Sequence, residues 1–196
     1  MAAARSAVFH FWPLGVVGGQ AKGRVCVARM FRGESVHKVD SKGRVSIPAN
    51  FRRVLEDNDP RWTAGGNPEL VIVYGDHRQN YLECYTMAAM AEVDAKIARL
   101  PRGSKPRRML ETLFTGQAHE TSVDETGRLV LPAKLRAKIG LEGEAHFLAT
   151  GDTFQILSPE GYAAKMGEMG NWLDDLDEDV DPLTFLEPTP PPGEMH

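Results

Sequence analysis

Cysteine is nearly absent: the 196-residue chain has two, Cys26 and Cys84, lying 58 positions apart with no Cys-x-x-Cys pair. A disulfide framework and a thiolate-held zinc ion are therefore not expected, and a reducing compartment suits the composition. The six histidines, His10, His37, His77, His119, His146 and His196, never fall at His-x-x-x-His spacing, so no metal centre is predicted. No serine or cysteine sits in a recognisable nucleophile motif. Long apolar runs are missing too. Ala7–Gly19 is mostly apolar but is interrupted by His10 and Pro13, and it is shorter than the ~20 residues a bilayer-crossing helix needs. Arg5 gives it the outline of a secretory signal, but no small-x-small cleavage site closes it. We read residues 1–29 as a flexible extension, of the kind an over-long start assignment produces, with the working chain opening at Met30. No membrane partner is expected.

Net basicity is also lacking, since the formal charge is −4. Its distribution matters more than its sum. Residues 1–29 carry four bases and no acid, residues 170–196 carry eight acids and no base, and residues 30–169 carry 19 of each. The negative sum therefore belongs to the end of the chain. That end finishes in Glu187-Pro-Thr-Pro-Pro-Pro-Gly193 and reads as an acidic, Pro-rich disordered tail, with Trp172, Leu173 and Leu176 available to anchor its first turn. Within the neutral middle, Arg32, Lys38, Lys42, Arg44, Arg52 and Arg53 face only Glu34 and Asp40 between positions 30 and 53. A second run, Arg99, Arg102, Lys105, Arg107 and Arg108, contains no acid. Such blocks attract phosphates, although a solvated basic face is the commoner meaning of any one of them.

What the chain does have is an internal duplication. Val39-Asp-Ser-Lys-Gly-Arg-Val-Ser-Ile-Pro-Ala-Asn-Phe-Arg52 recurs as Val123-Asp-Glu-Thr-Gly-Arg-Leu-Val-Leu-Pro-Ala-Lys-Leu-Arg136, with seven of fourteen positions identical. Each copy has the same physical logic. An extended segment (34–39, 120–123) leads into Asp-x-x-Gly, whose end residues favour a type I turn. Arg44–Ile47 and Arg128–Leu131 then alternate as short strands. Pro48 and Pro132 stop the sheet and are predicted at the first helical position. Phe51, Val54 and Leu55, or Leu135 and Ile139, supply the buried helix face. Strands are expected at Leu70–Tyr74 with Tyr81–Tyr85 and at Ala145–Ala149 with Phe154–Leu157, each pair closed by a helix near Met87–Leu100 or Pro159–Met166. Between the copies, Lys105–Thr115 reads as a helix with an apolar stripe of Met109, Leu110, Leu113 and Phe114. That stripe suits a core, or equally a subunit interface. A unit of about fifty residues is marginal alone, so the two copies are expected to share one core.

At Asp40-Ser-Lys-Gly-Arg44 and Asp124-Glu-Thr-Gly-Arg128, with the opening Met30-Phe-Arg-Gly33, the chain resembles the MraZ family over about residues 30–166. The resemblance implies a mainly β (α+β) fold of two tandem SpoVT-AbrB domains, at 34–87 and 117–160, joined by linker helices over 88–116. These swapped-hairpin halves would form one β-barrel, and the chains would assemble as a homo-oligomer in a closed ring. It also implies a cytoplasmic, nucleoid-associated transcription regulator binding short direct repeats in double-stranded promoter DNA, upstream of the bacterial division and cell-wall genes and its own gene. Family members begin close to Phe-Arg-Gly, so residues 1–29 depart from the pattern.

Arg44 and Arg128, at the ends of tight turns, are the candidate DNA-contacting residues, because guanidinium binds both guanine O6/N7 and phosphate. Lys42 suits the phosphate backbone, and Arg32 is a further candidate phosphate contact. Asp40 and Asp124 would be repelled by phosphate; with Gly43 and Gly127 they are expected to hold the turns and orient the arginines. The first copy is the more basic, since Lys42 becomes Thr126 and Ser41 becomes Glu125. The bland alternative is a structural turn in which arginine pairs with its neighbouring aspartate. An enzyme is not expected: the paired Asp40 and Asp124 lack the Asp-Thr/Ser-Gly run of aspartic proteases, and an adjacent guanidinium lowers a carboxylate pKa. No cofactor and no small-molecule substrate are predicted. The rival is an AbrB-like antitoxin whose acidic tail, Asp174–Asp181, binds a partner protein.

Overall fold

The computed structural model describes residues 29–177 and 180–186, and the extension read at 1–29 lies almost wholly outside them, as does Cys26. Among the described residues, eight strands and five α-helices follow in chain order. They are β1 (Glu34–Lys38), β2 (Arg44–Ser46), α1 (Ala49–Asp57), β3 (Glu69–Val73), β4 (Tyr81–Thr86), α2 (Met87–Ala98) and α3 (Lys105–Glu111), then β5 (Ala118–Ser122), β6 (Arg128–Val130), α4 (Ala133–Lys138), β7 (Glu144–Ala149), β8 (Thr153–Leu157) and α5 (Pro159–Asp174). The fold is mainly sheet with short helices, an α+β chain. None of the described helices is long and apolar enough to cross a membrane.

The duplication becomes an interleaved sheet. Six strands run in the order β1-β7-β8-β4-β3-β5, and β2 and β6 form a separate two-stranded sheet. Exchanging each strand for its equivalent in the other copy reverses this order and leaves it otherwise unchanged. First-copy β1 thus lies on second-copy β7, β5 lies on β3, and β4 meets β8 at the centre, all antiparallel. Neither half keeps its own sheet, so neither can leave without exposing the other. The ladder does not join β1 to β5: it is an open sheet with a separate ribbon, where the resemblance led us to expect a closed barrel.

One core draws on both copies. Phe31 meets Phe154 and Phe51 edge-on, with ring centroids 5.0 and 5.2 Å apart, and Phe147 stacks on Phe154 at 6.0 Å. Leu70, Ile72, Leu129, Leu131 and Ile156 fill in around them. Burying each such side chain is worth about 1.5–3 kcal/mol. Val71 and Val73 point to the opposite face of β3, where α2 and Phe114 cover them. This explains the uninterrupted Leu-Val-Ile-Val of that strand, since both faces are dry. The helices α2 and α5 start alike, with Thr86 Oγ1 accepting from the Ala89 N–H at 3.1 Å and Ser158 Oγ from Gly161 at 3.2 Å.

Four local readings need correction. Pro48 and Pro132 sit at the N-cap, with ψ 138° and 148°, one residue before the helix; their ring ends the sheet ladder while the backbone is still extended. Lys105–Thr115 is helical only to Glu111 and then widens into a π turn, Thr112–Gly116. Its stripe divides: Phe114 packs under the sheet, whereas Met109 is 55% exposed. Finally, residues 170–174 are not disordered tail but the last turn of α5, and Pro182–Leu186 forms a 3₁₀ turn that brings Phe185 within 5.7 Å of Trp172.

Candidate nucleic-acid interface

Each motif folds as a three-residue hairpin loop: a type I turn followed by a left-handed glycine. Gly43 N–H donates to the Asp40 carbonyl at 2.8 Å and Asp40 N–H to the Arg44 carbonyl at 3.0 Å; the corresponding bonds around Asp124 are both 2.8 Å. Gly43 and Gly127 have φ of +80° and +76°, which an L side chain resists. The aspartate secures the loop from inside. Asp40 Oδ1 accepts the Lys42 and Arg44 N–H groups, and Asp124 Oδ1 accepts those of Thr126 and Arg128, all at 2.9 Å.

Beyond the turn the copies diverge. Asp40 Oδ2 accepts Nε of Arg44 at 2.6 Å, leaving the outer edge of that guanidinium without an intramolecular partner among the described residues. Asp124 instead accepts the Thr126 hydroxyl at 2.6 Å, and the Arg128 guanidinium has no described partner. Both carboxyls are held below the usual aspartate range. For Asp40 the first cause is the Arg44 backbone N–H, then its guanidinium; for Asp124 it is the Thr126 hydroxyl, then the Arg128 N–H.

Ribbon pairing brings the two arginines together. Arg44 lies opposite Val130, and Arg128 opposite Ser46. The central residues Val45 and Leu129 are buried, so Arg44, Ser46, Arg128 and Val130 all face outward. The arginines are therefore diagonal neighbours on one exposed face, about 7–8 Å apart along the backbone. Lys42, also exposed, stands on the first turn. Arg32 does not join them. It lies at the other end of β1, where its carbonyl accepts from Asn50 Nδ2 at 3.0 Å.

The second basic run serves partly as structure. Arg107, 17% exposed, donates to Glu111 and to the Ala98 and Leu100 carbonyls, closing the end of α2. Arg108 donates to the Gly103 carbonyl at 2.6 Å. Arg52, counted in the sequence only as part of a basic run, and Arg136, given no role there, lie beneath the turns. Their identity at the last motif position was the available signal. Among the described residues no cluster of His, Cys, Asp or Glu is arranged to hold a metal.

These residues define a class: an internally duplicated, mainly-sheet protein whose two copies share one core and deliver one arginine each to a common exposed ribbon. Comparison with known proteins finds the same division. The model of a family described as "MraZ protein, putative antitoxin-like" matches twice, over residues 30–113 and 114–169. A transcriptional regulator MraZ from Ruegeria pomeroyi is 67% identical over 162 residues, covering 82% of this chain and 97% of the relative. One from Cereibacter sphaeroides is 44% identical over 170 residues, 83% of this chain and 99% of the relative. A third, from Gluconobacter oxydans, is 34% identical over 136 residues, 69% of this chain and 80% of the relative. The chain belongs to the MraZ family.

Proposed function

We propose that this chain is a transcription regulator that binds double-stranded promoter DNA through the β2–β6 ribbon and its two turns, and that it is not an enzyme. The observation that carries this reading is the convergence of Arg44 and Arg128 on one outward face. A two-stranded ribbon fits the major groove, and a guanidinium there reads guanine O6/N7 bidentately. Asp40 takes Nε of Arg44 and so points the remaining N–H groups outward; Lys42 supplies a phosphate contact. Gly43, Gly127 and Asp124 hold the loops, and Arg32 meets phosphate separately.

One ribbon carries too few cations for tight binding. The closed ring implied by the resemblance completes the reading: several ribbons on one ring face engage consecutive direct repeats, and linked weak contacts multiply. The targets are the repeats upstream of the division and cell-wall genes, including the chain's own, which places it in the cytoplasm at the nucleoid. Fluorescence anisotropy over a salt series tests this. Binding to its own upstream DNA should exceed binding to a scrambled duplex and fall with Arg44→Ala; equal affinity for both duplexes would refute it.

The antitoxin reading has one observation of its own, the family description quoted above. It draws some support from the half-exposed Trp172 and Leu173 beside Asp174 and Asp175. A toxin gene next to this one would favour it.

A further inference from the structure

The last position of the duplicated motif is arginine in both copies, Arg52 and Arg136, and DNA contact by the turns gives it no task. The structure puts each arginine under the other copy's turn. A methyl group built on Gly127 would lie 2.5 Å from Nη1 and 2.7 Å from Cζ of Arg52. One built on Gly43 would meet the Leu131 carbonyl oxygen and, at 3.0 Å, Nε of Arg136. The backbone is tied the same way, with Ile47 N–H donating to the Gly127 carbonyl at 2.9 Å and Leu131 N–H to the Gly43 carbonyl at 2.8 Å. The cradles differ in one respect. Nε of Arg136 donates to the Leu131 carbonyl at 3.1 Å, whereas Nε of Arg52 is buried with no hydrogen-bond partner among the described residues. A buried N–H left unpaired is destabilising, so hydrogen bonding by Nε does not account for Arg52. Its planar guanidinium does fit flat against a glycine that offers no Cβ.

We propose that Arg52 is a positioning residue for the second turn: supplied by the first copy's helix, it fixes Asp124–Arg128 and so sets where Arg128 points, as Arg136 does for Asp40–Arg44. The proposal rests on the DNA-binding reading above. Its consequence is that the two contact points are not independent, because damage in one copy is felt in the other.

The test is a set of double-mutant cycles in the full chain, read by anisotropy on its own upstream DNA. Arg52→Ala should weaken binding about tenfold, within the loss expected for one base-contacting arginine. That loss should vanish in an Arg128→Ala background and persist in full in an Arg44→Ala background. Arg52→Lys keeps the charge and loses the plane, so it should behave like Arg52→Ala. An equal loss in both backgrounds, with the salt slope lower by about one, would mean that Arg52 touches phosphate directly and would overturn the proposal. Full rescue by lysine would do the same.

A second measurement needs no DNA. Gly127→Ala should lower the melting temperature more than Gly33→Ala, because Gly33 has φ +87° with nothing within 4 Å of a built methyl. Adding Arg52→Ala should restore part of the Gly127→Ala loss and none of the Gly33→Ala loss. Equal, unrelieved losses would overturn the cradle even with specific DNA binding intact. Failure of the wild-type chain to prefer its own upstream DNA would instead remove the DNA reading, whatever the melting data show.

Discussion

In the first copy of the motif one aspartate holds both the turn and the arginine; in the second it holds the turn and a threonine. The backbone is the same in both, down to the left-handed glycine. The side chains differ: Arg44 Nε lies on Asp40 Oδ2, whereas the Thr126 hydroxyl shares Asp124 Oδ1 with the backbone N–H groups and no Arg128 side-chain bond reaches Asp124 among the described residues. Arg44 is thus tethered within its own turn, whereas the Arg128 guanidinium has no such tether among the described residues, so more side-chain entropy is lost when Arg128 is ordered. The two copies share one backbone frame and differ in how each arginine side chain is held.

The comparison can be broken at four places. The largest effect lies in the shared core, where Phe51 and Leu135 occupy equivalent helix positions. Phe51→Ala should cost about 3–5 kcal/mol of unfolding free energy and Leu135→Ala about 2–5. Denaturation should show both copies melting in one transition, because the strands interleave. Next come the arginines. Arg44→Ala should weaken operator binding by about 1–3 kcal/mol and Arg128→Ala by less, measured by titration under one salt condition. Third, Thr126→Lys should turn the second copy into the first. It adds a cation where the first copy has Lys42, so it should tighten binding several-fold and steepen the salt slope by about one.

The smallest effect is pH dependence. Asp40 and Asp124 are both depressed below their ordinary 3.8. A depressed carboxylate stabilises the fold above its unfolded value and loses that contribution as pH falls through the folded value. Amide exchange at Lys42, Arg44, Thr126 and Arg128 should therefore stay protected down to pH 3.8 and open only below it. Asp40→Asn should abolish that acid step in the first turn alone.

Much of this was legible in the sequence because local chemistry decided it. Asp-x-x-Gly wrote the turns, proline stopped the ribbon, and the strands expected at 70–74, 81–85, 145–149 and 154–157 fall within about a residue of β3, β4, β7 and β8. Non-local pairing was not legible. A repeat announces two equal units but does not say that β1 will leave its own copy for β7. Composition misled at the tail, where acids and glycines concealed the last turn of α5. Charge counting misled at Arg107 and Arg108, whose side chains cap backbone carbonyls. At the candidate site the sequence named Asp40, Lys42, Arg44, Asp124 and Arg128. It could not place Arg128 diagonal to Arg44 on one ribbon, or put Arg52 beneath the opposite turn.

The central claim is that the ribbon, with both copies contributing, is where DNA sits. Hydrogen–deuterium exchange of the full chain, with and without its upstream duplex, tests this most directly. The account predicts new protection concentrated at residues 40–46 and 124–130, stronger in the first segment. Protection at residues 102–108 or 169–186, with the ribbon unchanged, would contradict it.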